Sequence, residues 1–454
     1  MVAAAAVVAS LTLVVVVAVL ARPAPAPAPA PVNSERLRAA LTTEALTAHL
    51  EALQLSADAN GGNRAAGTAG YAASADYVAS TLEQAGYRVE RQQFSYDKPE
   101  FTTATLLRTA PARTEYAALR DHRPLAYSGS GAVTAAVVAV DVSLDGGRTT
   151  TSACEPADFT GFPRGSIALV QRGTCSFAAK VGNAVAAGAS AVVVFNQGDS
   201  PDRTGLFSGT LGRPASVPVV ATTFAVGAAW AAQPGTVLTI AVEATVTSVV
   251  TENLLADTAG ESGQTIVLGA HLDGVADGPG INDNATGVAA VIETAVQFAA
   301  LGVEPRHRVR FAFWGGEEDG LHGSEHYVAH LDQAARDATL LYLNLDMIGS
   351  PNPVPSVYGG QGWPDGSAAI RSVLTDFLRS QGVTPEAVSF PSSDHSSFAA
   401  AGIAVGGLFT GADEGADPCY HAPCDRLDTI DREMVGLMAD AAAHATLAFA
   451  QAPD

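Results

Sequence analysis

The second half of this chain alternates apolar segments of strand length with segments of helical periodicity, and this alternation restricts the fold class. Segments such as TIVLGA and LLYLNL are almost wholly apolar, which is typical of strands buried on both faces of a sheet. Strands are predicted at residues 265–270, 309–314, 340–345, 387–390 and 405–409. Helices are predicted at about residues 285–301, 323–331, 367–380, 396–401 and 432–450. We therefore predict an α/β domain with a mostly parallel mixed sheet sandwiched by helices.

Side chains of the metal-binding types follow three of these strands. Ligands of open α/β sheets bind beyond the carboxyl ends of the strands, so these side chains are expected to meet at one edge of the sheet. Two imidazoles and three carboxylates could hold and bridge two zinc ions, and one further carboxylate could act as a base. The candidate metal ligands are His271, Asp283, Glu318, Asp346 and His421, and the candidate base is Glu317.

Each segment taken alone has a second interpretation. His271 with Asp273 could be a polar pair at a strand end, or a metal ligand that a nearby carboxylate orients. Asp283 precedes a predicted helix, so it could be the N-cap of that helix instead of a bridge between two cations. The adjacent glutamates could belong to a solvated loop. The combination of segments, and not any one of them, indicates a metal centre.

The remaining histidines carry less weight. His322, His326 and His330 are spaced four residues apart on a predicted helix, where they could bind a metal, although we favour a solvent-facing row. His395, in the segment SSDH, is expected to be structural or to support a ligand. The chain has no H-E-x-x-H, G-x-S-x-G or Walker motif, which argues against the enzyme classes that those motifs identify.

The N-terminal segment predicts export from the cell. Residues 1–21 contain a nearly continuous apolar run that resembles a signal peptide or, alternatively, a membrane anchor with the enzyme outside. A semi-rigid Pro-Ala linker follows at residues 22–33. In an exported chain the four cysteines predict two disulfides, Cys154–Cys175 and Cys419–Cys424. The alternative, a four-cysteine zinc site, lacks the C-x-x-C pattern.

The charge of the chain excludes some partners. Its formal net charge of -21 argues against binding to nucleic acid or to an anionic membrane surface. Contact with a membrane is expected only if the N-terminal segment stays uncleaved. The excess of acidic residues is best explained by solubility.

Composition changes twice along the chain, and these changes predict an inserted domain. Residues 34–124 contain two helical segments and a strand at 87–95. Residues 125–242 contain short β-rich runs separated by glycine turns, with one helix at 176–187. We predict that residues 34–124 and 243–454 form one domain, which residues 125–242 interrupt.

Several stretches resemble one enzyme family closely. The stretches GAHLDGVADGPGINDNATG, FAFWGGEEDGLHGS, YLNLDMIGSPNP, SSDHSSF, GGLFTGA and CYHAPCD resemble the bacterial leucyl aminopeptidases of metallopeptidase family twenty-eight. The resemblance covers about residues 253–454, together with NRAAGTAGYAASADYVASTL nearer the N-terminus. It implies the zinc exopeptidase fold. The inserted segment, with GSIALVQRGTCSFAAK and AGASAVVVFNQ, resembles a protease-associated (PA) domain, for which we expect a role in gating or substrate choice.

The resemblance also implies a role for each candidate residue. Two zinc ions per chain are expected, with His271 and Asp346 on one ion, Glu318 and His421 on the other, and Asp283 bridging both. Glu317 would be the general base and then the general acid, and Tyr420 would stabilise the oxyanion. The Asp283–Asn284 peptide bond is expected to be cis. Relatives often have Arg where this chain has Ser392, so contacts with the substrate backbone should differ there.

The implied function is hydrolysis of the N-terminal peptide bond of peptides and proteins by an exported, monomeric aminopeptidase. A preference for hydrophobic N-terminal residues such as leucine is expected. Two alternatives stay open, namely a carboxypeptidase or dipeptidase of the same superfamily and a catalytically inactive, receptor-like binding protein. Calcium as an additional ion is left open.

Overall fold

A computed structural model describes residues 33–144, 151–359, 362–389 and 393–453. The predicted signal segment, nearly all of the Pro-Ala linker and Ser392 lie outside these residues. The chain forms two units, one from Met1–Phe94 with Val250–Asp454 and the other from Ser95–Val249. The insertion expected at 125–242 falls within the second unit. None of the helices among the described residues has the length and hydrophobicity that a membrane crossing requires.

A mixed sheet forms the centre of the first unit. Its strands follow the order Glu386–Val388, Ser356–Tyr358, Ala404–Phe409, Thr339–Leu345, Thr265–His271, Arg308–Trp314 and Val237–Asp257. The four strands from Ala404–Phe409 to Arg308–Trp314 are parallel to one another. Antiparallel pairings flank this parallel core on both sides. The predicted α/β fold with a mostly parallel, mixed sheet is therefore confirmed.

Helices cover both faces of this sheet. Along the strand Thr265–His271, Ile266 and Leu268 belong to one hydrophobic core and Val267 belongs to another, as the pleat of a strand requires. The helices on the first face are Thr43–Asp58, Ala69–Gln84, Thr286–Ala300, Ser367–Ser380 and Arg432–Ala450. Those on the second face are His322–His330 and His395–Ala400. Two short helices, Glu35–Arg38 and Gln333–Ala338, complete the unit.

The second unit contains a sheet of similar design. Three consecutive parallel pairings join Gly131–Ala139, Ile167–Gln171, Ala191–Phe195 and Val219–Thr222. His122–Pro124 and Val237–Asp257 pair antiparallel at its two sides, and Thr114–Tyr116 pairs with Val89–Ala110. The helices are Phe177–Ala187 and Phe224–Ala231, with single 3₁₀ turns at Pro156–Phe159 and Pro201–Arg203.

Two features of the second unit differ from the prediction. The helix Phe224–Ala231 was not predicted, because its segment FAVGAAWA is uniformly apolar and has no amphipathic period. The strands Val89–Ala110 and Val237–Asp257 run well beyond the predicted ends at residues 95 and 242. Much of residues 243–249 is exposed, so these positions lack the apolar alternation that marks a half-buried strand.

Both predicted disulfides are present. Cys154 pairs with Cys175 in the second unit, and Cys419 pairs with Cys424 in the first. No cysteine is left free, so the alternative of a four-cysteine zinc site is excluded.

Candidate metal centre

The carboxylate of Asp283 lies between two imidazoles. Its Oδ1 atom is 3.3 Å from Nε2 of His271, and its Oδ2 atom is 3.1 Å from Nε2 of His421. A second carboxylate accompanies each imidazole, because Asp346 Oδ1 is 3.2 Å from His271 Nε2 and Glu318 Oε2 is 3.0 Å from His421 Nε2. The structure thus brings the five candidate ligands together as two groups that share Asp283.

The parallel register explains how three strands deliver these side chains to one edge. Trp314 is level with His271 in neighbouring strands, so the glutamates a few residues further on emerge beside that histidine. Glu317 belongs to a cluster with His271 and Asp346 in which the possible ligand atoms all lie within 4.8 Å of one another. Glu317 is therefore close enough to act on a molecule held by these residues.

The residues around Asp283 form an irregular turn and not a helix cap. The helix that follows, Thr286–Ala300, has Ala285 as its N-cap, so the N-cap interpretation of Asp283 is wrong. The Asp283–Asn284 peptide bond is cis, as the resemblance implies. Gly287 has no room for a side chain, since a Cβ atom there would lie 2.5 Å from the carbonyl oxygen of Leu345. This close approach brings the start of the helix, next to the turn, against the strand Thr339–Leu345, which Asp346 follows.

A short loop closed by the Cys419–Cys424 disulfide carries His421. His421 has a left-handed backbone conformation, with φ of 54°, which is uncommon for a residue other than glycine. The ring of Tyr420 stacks on that of His421, with 3.8 Å between the ring centroids, and Tyr420 is 38% exposed. The loop therefore presents both candidate residues from the solvent side of the cluster, whereas His271 is buried.

The prediction for Asp273 needs a correction. The ring Nδ1 of His271 contacts the backbone carbonyl of Asp273 at 3.1 Å, while the nearer carboxylate oxygen is 4.0 Å away. That carboxylate instead accepts hydrogen bonds from the backbone N–H groups of Glu317 and Glu318. The buried Asp273 therefore orients the histidine through its main chain and the glutamate pair through its side chain.

Burial and like charges perturb the acids of the cluster. Burial raises the pKa of Glu318 to about 8, and the charge of Asp283 adds to this effect. Burial also raises the pKa of Glu317 well above its ordinary value and that of Asp394 to about 7. Burial alone would lower the pKa of His271, but the charges of Glu317 and Asp346 raise it well above its ordinary value. The cluster holds more negative charge than its two imidazoles can balance.

The donor set and its spacing fit zinc. Two ligand atoms on a tetrahedral zinc ion, each about 2.0–2.1 Å from the metal, lie roughly 3.3 Å apart. The four contacts between imidazole nitrogen and carboxylate oxygen measure 3.0–3.3 Å. Glu318 Oε1 is buried and has no hydrogen-bond partner among the described residues, so an acceptor is left for a cation to satisfy. Imidazole and carboxylate are both common ligands of zinc.

The other candidate histidines lie elsewhere. Within the part of the chain that the structure describes, the residue clusters suited to a metal do not include His322, His326 or His330. His326 stacks on Phe94, and its ring lies at a tilt against that of His330. Only His330 of the three is exposed, so the predicted solvent-facing row is partly wrong. His395 is buried beside the aromatic ring of Tyr358.

Three residues near the cluster were missed by sequence reasoning. Arg64, Asp394 and Asp425 are all buried, and the charges of Asp394 and Asp425 act on members of the cluster or on their neighbours. All three stand in stretches that carry the family resemblance, Asp425 as the last residue of CYHAPCD, so those stretches contained a signal for them.

Comparisons with known proteins identify the family of this chain. The peptidase family M28 model matches residues 253–446, and the PA domain model matches residues 133–230. An aminopeptidase of Pseudomonas aeruginosa is 42% identical over 425 residues, which cover 87% of this chain and 79% of that protein.

Solved structures show the same relationship. An aminopeptidase from Aneurinibacillus sp. strain AM-1 has a TM-score of 0.77 at 27% identity, covering 93% of this chain and 97% of that one. The zinc aminopeptidase BSAP from Bacillus subtilis has a TM-score of 0.59 at 26% identity, covering 88% and 94%. The chain therefore belongs to peptidase family M28 and is a zinc-dependent aminopeptidase with a PA domain.

Proposed function

We propose that this enzyme is an exported aminopeptidase that uses two zinc ions and prefers substrates with a hydrophobic N-terminal residue such as leucine. The observation that carries the two-ion proposal is the position of Asp283, whose two carboxylate oxygens each face a different imidazole. A carboxylate between two dications is stable when buried because both of its oxygens are neutralised. One ion alone would leave half of this cluster without a counter-charge.

We assign the ligands by their contacts. His271, Asp346 and Asp283 would hold one ion, and His421, Glu318 and Asp283 would hold the other. Zinc bound at these residues would polarise the scissile carbonyl and lower the pKa of the attacking water. Protein ligands that number three per ion leave room for water and substrate, as catalytic zinc sites require.

Glu317 is proposed as the residue that moves the proton. It is not among the ligands of the two groups, yet it lies within the cluster formed with His271 and Asp346. Its carboxylate would take a proton from the attacking water as the new carbon–oxygen bond forms. It would then deliver this proton to the nitrogen of the leaving peptide as the carbon–nitrogen bond breaks.

Two further features support an aminopeptidase. Tyr420 stands beside His421 with its side chain partly exposed, where its hydroxyl could donate a hydrogen bond to the developing oxyanion. The carboxylate-rich cluster would attract the cationic amino terminus of a peptide. The preference for a hydrophobic first residue is supported by similarity to relatives named leucine aminopeptidase.

Export is proposed from the N-terminal sequence and from the disulfides. Both cysteine pairs are bonded, as expected for a protein that matures in an oxidising compartment. Sequencing the N-terminus of the protein recovered from culture medium would test export and would locate the cleavage site.

The decisive experiment compares leucine p-nitroanilide with its N-acetylated form, with zinc content measured on the same sample. We expect two zinc ions per chain, cleavage of the free-amine substrate only, and loss of cleavage after chelation. One zinc ion at full activity would contradict the two-ion proposal. Cleavage of blocked but not free substrates would instead favour a carboxypeptidase-like enzyme.

A further inference from the structure

A buried arginine holds the two segments that carry His271 and Asp283. Arg64 is completely buried and comes shortly before the helix Ala69–Gln84. Its Nε atom donates to the carbonyl of Pro279 at 2.8 Å, and its two terminal nitrogens donate to the carbonyls of Leu272 and Gly280. All three acceptors are therefore backbone carbonyls, one next to His271 and two in the turn before Asp283.

This arrangement is unusual for a buried guanidinium, which is normally paired with a carboxylate. Among the described residues, no carboxylate makes a salt bridge with Arg64, although several acids lie near enough to act through space. Burial lowers the pKa of Arg64, and the charges of Asp425 and then Asp273 oppose that shift. The side chain remains protonated, so its charge strengthens the hydrogen bonds to the turn.

A buried carboxylate binds the same turn through its N–H groups. Asp425 Oδ1 accepts a hydrogen bond from the backbone N–H of Asn282 at 2.7 Å, and its Oδ2 accepts one from that of Asp283 at 3.0 Å. Asp425 is 2% exposed and directly follows Cys424. The turn thus has a cation on its carbonyls and an anion on its N–H groups.

The turn needs such support because it has little regular structure of its own. Asp283 and Asn284 have non-helical backbone angles, and Gly280 is left-handed with φ of 65°. A Cβ atom on Gly280 would lie 2.5 Å from the carbonyl oxygen of Asp283 and 3.3 Å from Arg64, so the turn folds tightly over the guanidinium. Buried backbone groups without strand or helix partners require side chains to satisfy them.

We propose that Arg64 and Asp425 are a pair of positioning residues, which clamp the turn at residues 279–283 from two sides and thereby set the position of the Asp283 carboxylate. The inference rests on the proposed function, in which Asp283 bridges two ions. Arg64 also links this turn to the segment of His271, and Asp425 links it to the disulfide loop of His421. The clamp therefore couples ligands of both ions.

The first test replaces Arg64 with Met and with Lys. The control is Arg310→Met, because Arg310 is a partly buried arginine that lies near the start of the strand Arg308–Trp314 in the same sheet and pairs with Asp257. Zinc dissociation constants, zinc content, kcat and KM are measured, together with the melting temperature of the metal-free proteins. The visible spectrum of the cobalt-substituted proteins reports the geometry of the ligands.

We expect Arg64→Met to weaken zinc binding about 10- to 100-fold, which is the usual cost of losing a group that orients metal ligands. The zinc affinity of Arg64→Lys should lie between those of Arg64→Met and the wild type, since lysine keeps the charge but cannot make all three hydrogen bonds of the guanidinium. At saturating zinc, kcat should fall more than KM changes, and the cobalt spectrum should shift. Arg310→Met should lower the melting temperature of the metal-free protein without any of these changes.

Asp425→Asn provides a second test that does not depend on the folding of the Arg64 variants. The amide can accept only one of the two N–H groups and places a donor against the other, so zinc binding should weaken by a similar factor. Asp440→Asn is the control, because Asp440 is a partly buried acid on the C-terminal helix. In the double variant the two losses should be less than additive, since both act on one turn.

Zinc affinity and a cobalt spectrum like those of the wild type in Asp425→Asn, or in a folded Arg64→Met, would overturn the inference. That result would leave the proposed function intact if the wild-type protein binds two zinc ions and cleaves free-amine substrates. A wild-type protein that binds no zinc would instead remove the proposed function itself.

Discussion

The two units of this protein contain sheets of similar design but place different side chains at the carboxyl ends of their parallel strands. In the first unit the ends carry His271, Asp346 and the glutamates after Trp314, and these side chains contact or crowd one another. In the second unit the strands Ile167–Gln171 and Val219–Thr222 end at neutral polar residues, and the neutral polar residue Asn196 directly follows the strand Ala191–Phe195.

The neutral residues of the second unit bind the backbone. Gln171 accepts a hydrogen bond from the N–H of Ser143 and donates one to the carbonyl of Gln197. Asn196 donates to the carbonyl of Gly205, and the hydroxyl of Thr222 donates to that of Asp121. Each of these side chains thus ties down a loop.

The two units therefore use the carboxyl ends of their strands differently: the second unit uses them to hold loops, and the first uses them to collect charged groups. Amide and hydroxyl groups are satisfied by the loops that they hold, so this edge needs no ligand. Buried carboxylates that face imidazoles and one another need a cation, as the proposed metal centre would supply. The architecture of the sheet alone therefore does not identify the active unit.

The largest effect should come from Glu317→Gln. Removing the base while keeping its shape should lower kcat about 10²- to 10⁴-fold, with zinc content unchanged. Steady-state kinetics and metal analysis on the same sample provide the measurement. Loss of zinc together with activity would make Glu317 a ligand and would contradict its assigned role.

Removing either disulfide should lower stability, but only removal of Cys419–Cys424 should also weaken zinc binding. Cys419 and Cys424 are 5 residues apart, and replacing both by Ser should lower the free energy of unfolding by about 2 kcal/mol. This change should also weaken zinc binding, because the loop carries His421. Replacing Cys154 and Cys175, at separation 21, should cost about 3 kcal/mol and leave zinc binding unchanged. Denaturant unfolding and zinc titration of both variants provide the comparison, and equal zinc affinities would contradict it.

Asn196→Ala should act on stability alone. The change removes the donor for the carbonyl of Gly205 and the acceptor for the N–H of Gln197, and should lower the free energy of unfolding by about 1–3 kcal/mol. Zinc content and kcat should stay at their wild-type values. A change in kcat at full zinc occupancy would show that this sheet edge is more than structural.

The smallest effect concerns pH. Burial raises the pKa of Asp440 from 3.8 to about 6, against the opposing charge of Arg38, whose guanidinium is 3.7 Å away. The Asp440 carboxyl therefore binds a proton more tightly in the folded protein than in the unfolded chain. Its contribution to the free energy of unfolding falls as pH rises from about 4 to 6 and stays lower above pH 6. Asp440→Asn should remove this component and be more stable above pH 6 by about 1 kcal/mol.

Unfolding of wild type and Asp440→Asn at saturating zinc, from pH 4 to 8, measures the difference. His444 lies one turn away on the same helix and donates to or accepts from Ser34, so it remains as a common background in both proteins. A stability difference that does not change between pH 4 and 6 would contradict the prediction.

Much of the fold could be predicted from local patterns. The strand predicted at residues 265–270 is observed as Thr265–His271, and the helix predicted at 367–380 is observed as Ser367–Ser380. The strand is an uninterrupted apolar run of strand length, and the helix has a strong helical period of apolar residues, so both signals are local. The helix Phe224–Ala231 was missed because a segment buried on all sides shows no period to detect.

Only part of the candidate site could likewise be predicted from the sequence. The identities and order of the five candidate ligands and of Glu317 could be read from the chain, because histidines and acids after apolar strands are conspicuous. The roles of Asp273, Arg64 and Asp425 could not, since they depend on which backbone groups each side chain reaches. Asp273 shows this most clearly, because its carboxylate binds the N–H groups of Glu317 and Glu318 and not the ring that sequence reasoning assigned to it.

The sequence by itself determined the kind of chemistry, because residue type sets which ligands and bases a chain can offer, and strand periodicity sets the edge where they appear. Only the tertiary structure decided how the charges are arranged. The two oxygens of Asp283 face different imidazoles because a tight turn, a neighbouring strand and a disulfide loop meet there from distant parts of the chain. Contacts of that kind depend on distances in space, which no local pattern of residues encodes.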